Sequence, residues 1–144
     1  MTSRWLIEVA PHRDLEIQWH SISLKLKNKS NPDHPFADMY ETSHRLLRVL
    51  EAVRSTEGDG VIGDLYSEYG KRIHQGQDLA FDPAEALQAV GLDRHHCTAA
   101  NDPSWDAIIA VDMAKGLALT GEDVGTPLLG FDDLEGNPVG IFGP

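Results

Sequence analysis

A chain of 144 residues with 41% hydrophobic and 24% charged side chains has room for one globular domain with a sizeable core. Its formal net charge of −11 argues against nucleic acid and anionic membrane as partners, since both demand a basic footprint; Lys25, Lys27 and Lys29 make the one local basic patch. A single cysteine, Cys97, excludes an internal disulfide and any two-cysteine redox motif within these residues. No apolar run approaches the roughly 18 residues of a membrane span, and Met1 to Leu6 carry no signal-peptide core, so the expected location is the cytoplasm.

Thr2 or Ser3 can cap a first helix carrying Trp5, Leu6, Val9 and Ala10, with Pro11 as its stop. Leu15 to His20 alternates at period two and predicts a half-buried strand, its phase shifting at Ile22, Leu24 and Leu26. Residues 28–35 are rich in Asn, Ser, Asp and Pro and predict a loop. From there to residue 120 the pattern is helical. Leu46, Val49, Leu50 and Val53 form one apolar stripe, and Ile62, Leu65, Tyr66, Tyr69 and Ile73 another, with 55–60 between them. Asp82-Pro83-Ala84-Glu85 is a helix start with Asp82 as N-cap and Pro83 at the first helical position, and that helix closes at Gly91. Asn101-Asp102-Pro103 opens a further helix through Trp105, Ile108, Ile109 and Met113, weakened late by Gly116. Leu128 to Phe131 and Val139 to Phe142 predict a hairpin across 132–138.

Between the last helix and the hairpin lies Gly121-Glu122-Asp123-Val124-Gly125-Thr126-Pro127. Proline at a strand start lacks a ladder donor and lowers the trans preference of its peptide to about 0.5–1 kcal/mol, so Thr126–Pro127 is expected to be cis. Gly125 before it permits close approach. Such a turn can hold backbone groups out toward a ligand, and Pro127 is read as functional rather than as an ordinary turn.

Several segments together resemble DsbA-like thioredoxin-fold proteins, in particular the actinobacterial mycothiol-dependent nitroreductase and disulfide-reductase group. They are Thr2-Ser3-Arg4-Trp5-Leu6-Ile7-Glu8-Val9; His20-Ser21-Ile22-Ser23-Leu24 through Asn28; Tyr66 with Gly70-Lys71-Arg72-Ile73-His74; Gly121 to Pro127; and the closing Phe142-Gly143-Pro144. The resemblance implies an α/β, thioredoxin-like sheet made of residues 1–28 and 121–144, with a large helical insertion at 29–120. In that group a strand and a Cys-Pro-Trp-Cys motif precede the helix that here begins at Thr2, and a helix follows the hairpin. The chain is therefore expected to be a fragment without its catalytic cysteines, the first strand and the C-terminal helix. Residues 15–24 should then lack their usual neighbour, and exposed strand edges leave a homodimer open.

For the complete protein the resemblance implies thiol–disulfide exchange by a thiolate at a helix N-terminus, with mycothiol or a similar small thiol as co-substrate and no bound cofactor. The cis-proline loop, Gly125, Thr126 and Pro127, would face the partner thiol or disulfide. Asn28 and His20 match positions near the groove, and His74 matches a groove-facing one; Phe36 stands where the group tends to have Tyr. The alternatives are a redox-inactive thiol-binding or scaffold protein of the same fold, and a kappa-class glutathione transferase or isomerase, which uses serine where the others use cysteine. Ser3 falls about one helical turn beyond the position that serine would need.

Three further features invite chemistry. His95-His96-Cys97 contains zinc-type ligands, but adjacent histidines rarely reach one ion and no second cluster lies at ligand spacing, so packing or surface roles are expected and no metal site. Cys97 without a partner reads as an inert thiol. Asp132, Asp133 and Glu135 read as a solvated hairpin tip, and Trp5, Trp19 and Trp105 as core residues.

Overall fold

A computed structural model describes residues 2–29 and 33–143. They form two compact units, residues 23–109 and residues 1–22 with 110–144. The chain is mixed α/β, mostly helical, with a two-stranded antiparallel sheet among the described residues. Among those residues no helix is long and apolar enough to cross a membrane.

The unit of residues 23–109 is helical. Helix α2 (Leu24–Lys27) is a single turn capped by Ser23. The long α3 (Ala37–Glu57) follows, and then α4 (Ile62–Gly70), which runs on into a π-helical turn, Lys71–Gln75. Leu46, Val49, Leu50 and Val53 recur at i, i+3, i+4 and i+7 and are all buried, as that spacing requires. Gly58, at φ +83°, ends α3 in a conformation that a side chain resists, and its N–H bonds the Arg54 carbonyl at 3.0 Å. Ile62, Leu65 and Tyr69 bury the inner face of α4, whereas Tyr66 lies exposed on the flank.

Asp82 caps α5 (Pro83–Ala89) as expected, its side chain accepting the Ala84 N–H at 2.9 Å. Phe81, just before it, packs against the Tyr69 ring at 5.6 Å between centroids and lies under the Arg72 guanidinium. Two 3-10 segments (Arg94–Asn101 and Pro103–Trp105) then lead to α6 (Asp106–Thr120). Leu65 and Leu87 are fully enclosed, each contributing about 1.5–3 kcal/mol of burial.

The Tyr69 hydroxyl is buried with no hydrogen-bond partner among the described residues. Burial pushes its phenol well above the ordinary range. An orphaned hydroxyl carries a desolvation cost that an apolar edge does not. Tyr69→Phe should therefore leave stability unchanged or raise it by about 1 kcal/mol; urea denaturation checks this, and a clear loss would reveal a partner for the hydroxyl.

In the other unit, α1 (Thr2–Arg13) runs through Pro11 instead of stopping there. A proline so near the end forfeits only one bond of the last turn. The helix is closed three residues later by Asp14 at φ +54°, which lets the Leu15 N–H return to the Ala10 carbonyl at 3.2 Å. Thr2, Leu6 and Val9 share its inner side, and Trp5, expected in a core, lies off that face and is exposed.

The strand expected at Leu15–His20 does not form among the described residues, where residues 15–20 have no ladder partner. Their alternation survives as burial, with Ile17, Trp19 and Ser21 turned inward and Glu16, Gln18 and His20 outward. Periodicity sets which way side chains face, but a strand also needs a neighbour to take its N–H and C=O groups.

Strands β1 (Leu128–Asp132) and β2 (Pro138–Phe142) form the expected hairpin, with Gly130 opposite Gly140. Asp133 organises its tip, accepting the N–H groups of Glu135 at 2.9 Å and Asn137 at 2.8 Å. The hydrogen bond from Asn137 leads the contacts that hold its carboxyl below the usual range. The acidic tip is thus a turn device. A glycine notch seats the hairpin on the end of α6. A Cβ on Gly140 would stand 2.7 Å from the Leu119 Cβ and 3.1 Å from its carbonyl carbon, and one on Gly130 only 3.2 Å from the tip of the Leu119 side chain. Gly140→Ala is expected to cost about 1–3 kcal/mol, because backbone must move. Gly130→Ala should cost clearly less, since a side-chain tip can yield. Denaturant melts of the two variants test the ranking.

Candidate functional site

His20 lies in the extended segment after α1, and Asp112 on α6 reaches it. The imidazole Nδ1 is 2.8 Å from the Asp112 Oδ1, and the Ser21 N–H donates to Oδ2 at 2.7 Å. Both carboxylate oxygens are therefore engaged, with the Lys115 Nζ a further 3.5 Å from Oδ1. Burial pushes the Asp112 carboxyl up, but the bonds from His20 and Ser21, together with the charge of Lys115, outweigh it and hold the group below the ordinary carboxylate range. The aspartate is nearly enclosed, whereas the histidine side chain is 57% exposed. An ionised acceptor at Nδ1 assigns the proton of the neutral ring to that nitrogen and leaves Nε2 as the acceptor.

In the same unit, Gly121 at φ +87° closes α6 through its N–H to the Leu117 carbonyl at 2.8 Å. The chain then runs through Gly125, on which a Cβ would stand 3.2 Å from the Phe142 ring. The Thr126–Pro127 peptide that follows is cis. The Pro127 carbonyl accepts the Gly143 N–H at 3.1 Å, which ties the loop to the end of the hairpin. Thr126 is exposed, and among the described residues neither its N–H nor its carbonyl has a hydrogen-bond partner. A main-chain donor and acceptor thus stand free immediately before β1.

Asn28 and His74 belong to the helical unit. Asn28 ends α2, its N–H bonding the Leu24 carbonyl at 3.0 Å, and is exposed. His74 lies exposed in the π-helical turn. Phe36 is exposed and joins His34 and Tyr40 in a ring cluster.

A model of the family described as mycothiol-dependent nitroreductase Rv2466c matches residues 1–144. The chain belongs to this Rv2466c-like family. The family is one of mycothiol-dependent oxidoreductases, which supports a mycothiol-linked redox role and a small thiol as co-substrate.

The Rv2466c-like chain also contains a polar network that sequence reasoning missed. The Ser23 hydroxyl lies 2.8 Å from the His44 Nδ1, and the His44 Nε2 lies 2.9 Å from the Asp106 Oδ1. Asp106 in turn takes a two-pronged bond from Arg48, at 2.6 Å from Nε and 2.9 Å from the terminal nitrogen. Ser23, His44 and Arg48 are buried. Although the trio has the composition of a hydrolytic triad, its serine oxygen is enclosed and already accepts the Leu26 N–H at 3.2 Å, so no substrate can reach it. It functions as a brace that holds α2 to α3 and to the start of α6. The signal was available: His44, Arg48 and Glu51 recur at i, i+4 and i+7, one helical face made of polar residues, and all three are buried.

Burial first, with Arg48 and Lys25 adding to it, keeps the His44 pKa below its ordinary 6.5 against the pull of Asp106. The bond from Arg48 leads the contacts that hold Asp106 below its ordinary 3.8. Neutral His44 then donates from Nε2 to Asp106 and accepts the Ser23 hydroxyl at Nδ1, which satisfies every member. A group with a lowered folded pKa binds fewer protons in the native state, so stability falls as pH drops. His44 places the first loss below pH 6.5, and Asp106 and Asp112 place a second below 3.8. Urea denaturation at about pH 5 and pH 7.5 should show the first loss in the wild type and a smaller one in His44→Gln. Equal losses in the two proteins would exclude His44 as the source.

Among the described residues no group of three or more His, Cys, Asp or Glu side chains could hold a metal ion. His96 faces Glu57 at 3.6 Å, and His95 and His96 border an open groove of about 410 Å³ with Trp105, Asp102, Ser55 and Thr56. Cys97 is half-buried in the 3-10 segment Arg94–Asn101.

Proposed function

We propose that this chain forms the partner-binding part of a mycothiol-linked thiol–disulfide oxidoreductase with a DsbA-like thioredoxin fold, its redox cysteines lying outside these 144 residues. The observation that carries the reading is the family match across residues 1–144. In the reaction, two thiols are oxidised to one disulfide while the substrate takes up two electrons and two protons. The attacking group is a thiolate of lowered pKa, of the kind found at helix N-termini. The one cysteine here, Cys97, sits inside a 3-10 segment with no second thiol beside it, which is not such a place.

The loop Gly125-Thr126-Pro127 is the surface proposed for the thiol or disulfide partner. Thr126 presents its free N–H and carbonyl at the edge of β1, where an extended partner can be held by main-chain bonds without regard to its side groups. His20, aimed by Asp112, supplies a polar group of the same unit; Asn28 and His74, in the helical unit, are proposed by the family resemblance alone as residues that contact a small thiol.

Titrating the isotopically labelled chain with mycothiol tests this. Amide shifts should concentrate at Gly125, Thr126 and Leu128 and include the His20 ring, and shifts confined elsewhere would remove the proposed surface. The same chain, given mycothiol and a disulfide substrate, is expected to show no turnover. Turnover abolished by Cys97→Ser would overturn the placement of the redox cysteines elsewhere.

A further inference from the structure

We propose that Asp112 is a positioning residue which sets His20 to accept the proton of a small thiol at Nε2; the inference rests on the thiol-partner reading above. Three observations carry it. The carboxylate is held from two sides, by the His20 Nδ1 at 2.8 Å and the Ser21 N–H at 2.7 Å. It is itself nearly enclosed, while the imidazole it holds is 57% exposed. Among the described residues nothing bonds the His20 Nε2, so the nitrogen left without a proton is the one with no partner, on a ring whose side chain is more than half exposed.

Ser21 makes the arrangement directional. Its N–H can only donate, so whatever occupies position 112 must present an acceptor to it. With aspartate the second oxygen is also an acceptor, and the ring must carry its proton on Nδ1. With asparagine the oxygen is claimed by Ser21 and the amide NH2 turns to the ring. Nδ1 must then accept, and the proton of the neutral ring moves to Nε2. Two atoms of near-equal size thus determine which face of the imidazole can act as a base, the logic by which an aspartate-to-asparagine change disables a triad histidine through its tautomer.

The chemistry assigned to His20 is proton transfer within thiol–disulfide exchange. Nε2 takes the S–H proton of the thiol, and the resulting thiolate attacks one sulfur of a disulfide. One S–S bond forms as the other breaks. The departing thiolate recovers the proton from the imidazolium, so the attacking thiol is oxidised into the new disulfide and the departing sulfur is reduced to a thiol. Lys115, 3.5 Å from the Asp112 Oδ1, shares that oxygen with the ring and supports the ionised carboxylate.

Nitrogen chemical shifts of the His20 ring, read without any thiol, give the tautomer. The Nδ1–H form is expected in the wild type and the Nε2–H form in Asp112→Asn. Ultraviolet absorbance of the thiolate, read with mycothiol bound, gives the proton transfer: bound mycothiol should be partly ionised on the wild type, and that ionisation should be lost in His20→Gln. Asp112→Asn should match His20→Gln to within about twofold while still binding, as a positioning role requires. His20 is exposed, so His20→Gln tests the role even if a change at Asp112 weakens folding. An Nε2–H ring in the wild type, or a thiolate signal unchanged in His20→Gln, would overturn the assignment while leaving the partner surface standing. Failure of mycothiol to shift any resonance would remove the partner surface, and this inference with it.

Discussion

Replacing Asp106 with alanine is expected to cost the fold roughly 3 kcal/mol. The carboxylate takes two bonds from Arg48, at 2.6 and 2.9 Å, and one from His44 at 2.9 Å. Without it the guanidinium, its side chain 9% exposed, keeps among the described residues only the Ala100 carbonyl at 3.2 Å. A buried charge stripped of its counter-ion typically costs about 3–5 kcal/mol, and the partial exposure of Asp106 allows water to recover some of that, which places the loss at the lower end. Asp106 also stands in the first turn of α6, where a negative charge complements the helix dipole by a few tenths of a kcal/mol or more.

Asp106→Asn should fall between, since the amide oxygen can still accept from Arg48. Arg48→Met combined with Asp106→Leu should recover only part of the loss: the apolar pair leaves no buried charge, but the His44 Nε2–H then lacks its acceptor. Chemical denaturation of the four proteins measures all of this. A loss below about 1 kcal/mol for Asp106→Ala would mean that water already solvates Arg48 and that the brace contributes little.

The second large effect is expected in amide hydrogen exchange. Among the described residues, 15–20 have no ladder partner, so the N–H groups of Glu16, Ile17 and Gln18 should exchange close to the unprotected rate. Val49, Leu50 and Val53 lie in the middle of α3 on its buried face and should exchange only through global opening. With folding free energies of about 5–15 kcal/mol, that contrast spans several orders of magnitude in rate. The hairpin should lie between, because its ten residues are held by one ladder and by the glycine notch against α6. Protection of Ile17 comparable with that of Val49 would reveal a backbone partner for this segment and restore the strand that its alternation predicts.

Local chemistry made much of this protein legible from its residues. The α3 stripe, the Asp82-Pro83 start of α5, the hairpin at 128–142 and the cis peptide before Pro127 each follow from side chains within a few positions of one another, and each is present. Pro11 shows how far such a signal reaches: proline marks the neighbourhood of a helix end, but the left-handed Asp14 sets the boundary. His20 could be named as a candidate from its match to a family pattern.

What holds the His20 ring is Asp112, 92 positions away, and no local pattern records that pairing. The same holds for Ser23, His44, Arg48 and Asp106, whose residues lie on three elements and are joined only when the helices pack. The failed strand at 15–20 has the same cause. Alternation is a property of one segment, and the sequence alone determined which side chains turn inward there. A ladder is a property of two segments, and only the tertiary structure decides whether a neighbour's N–H and C=O groups stand within reach.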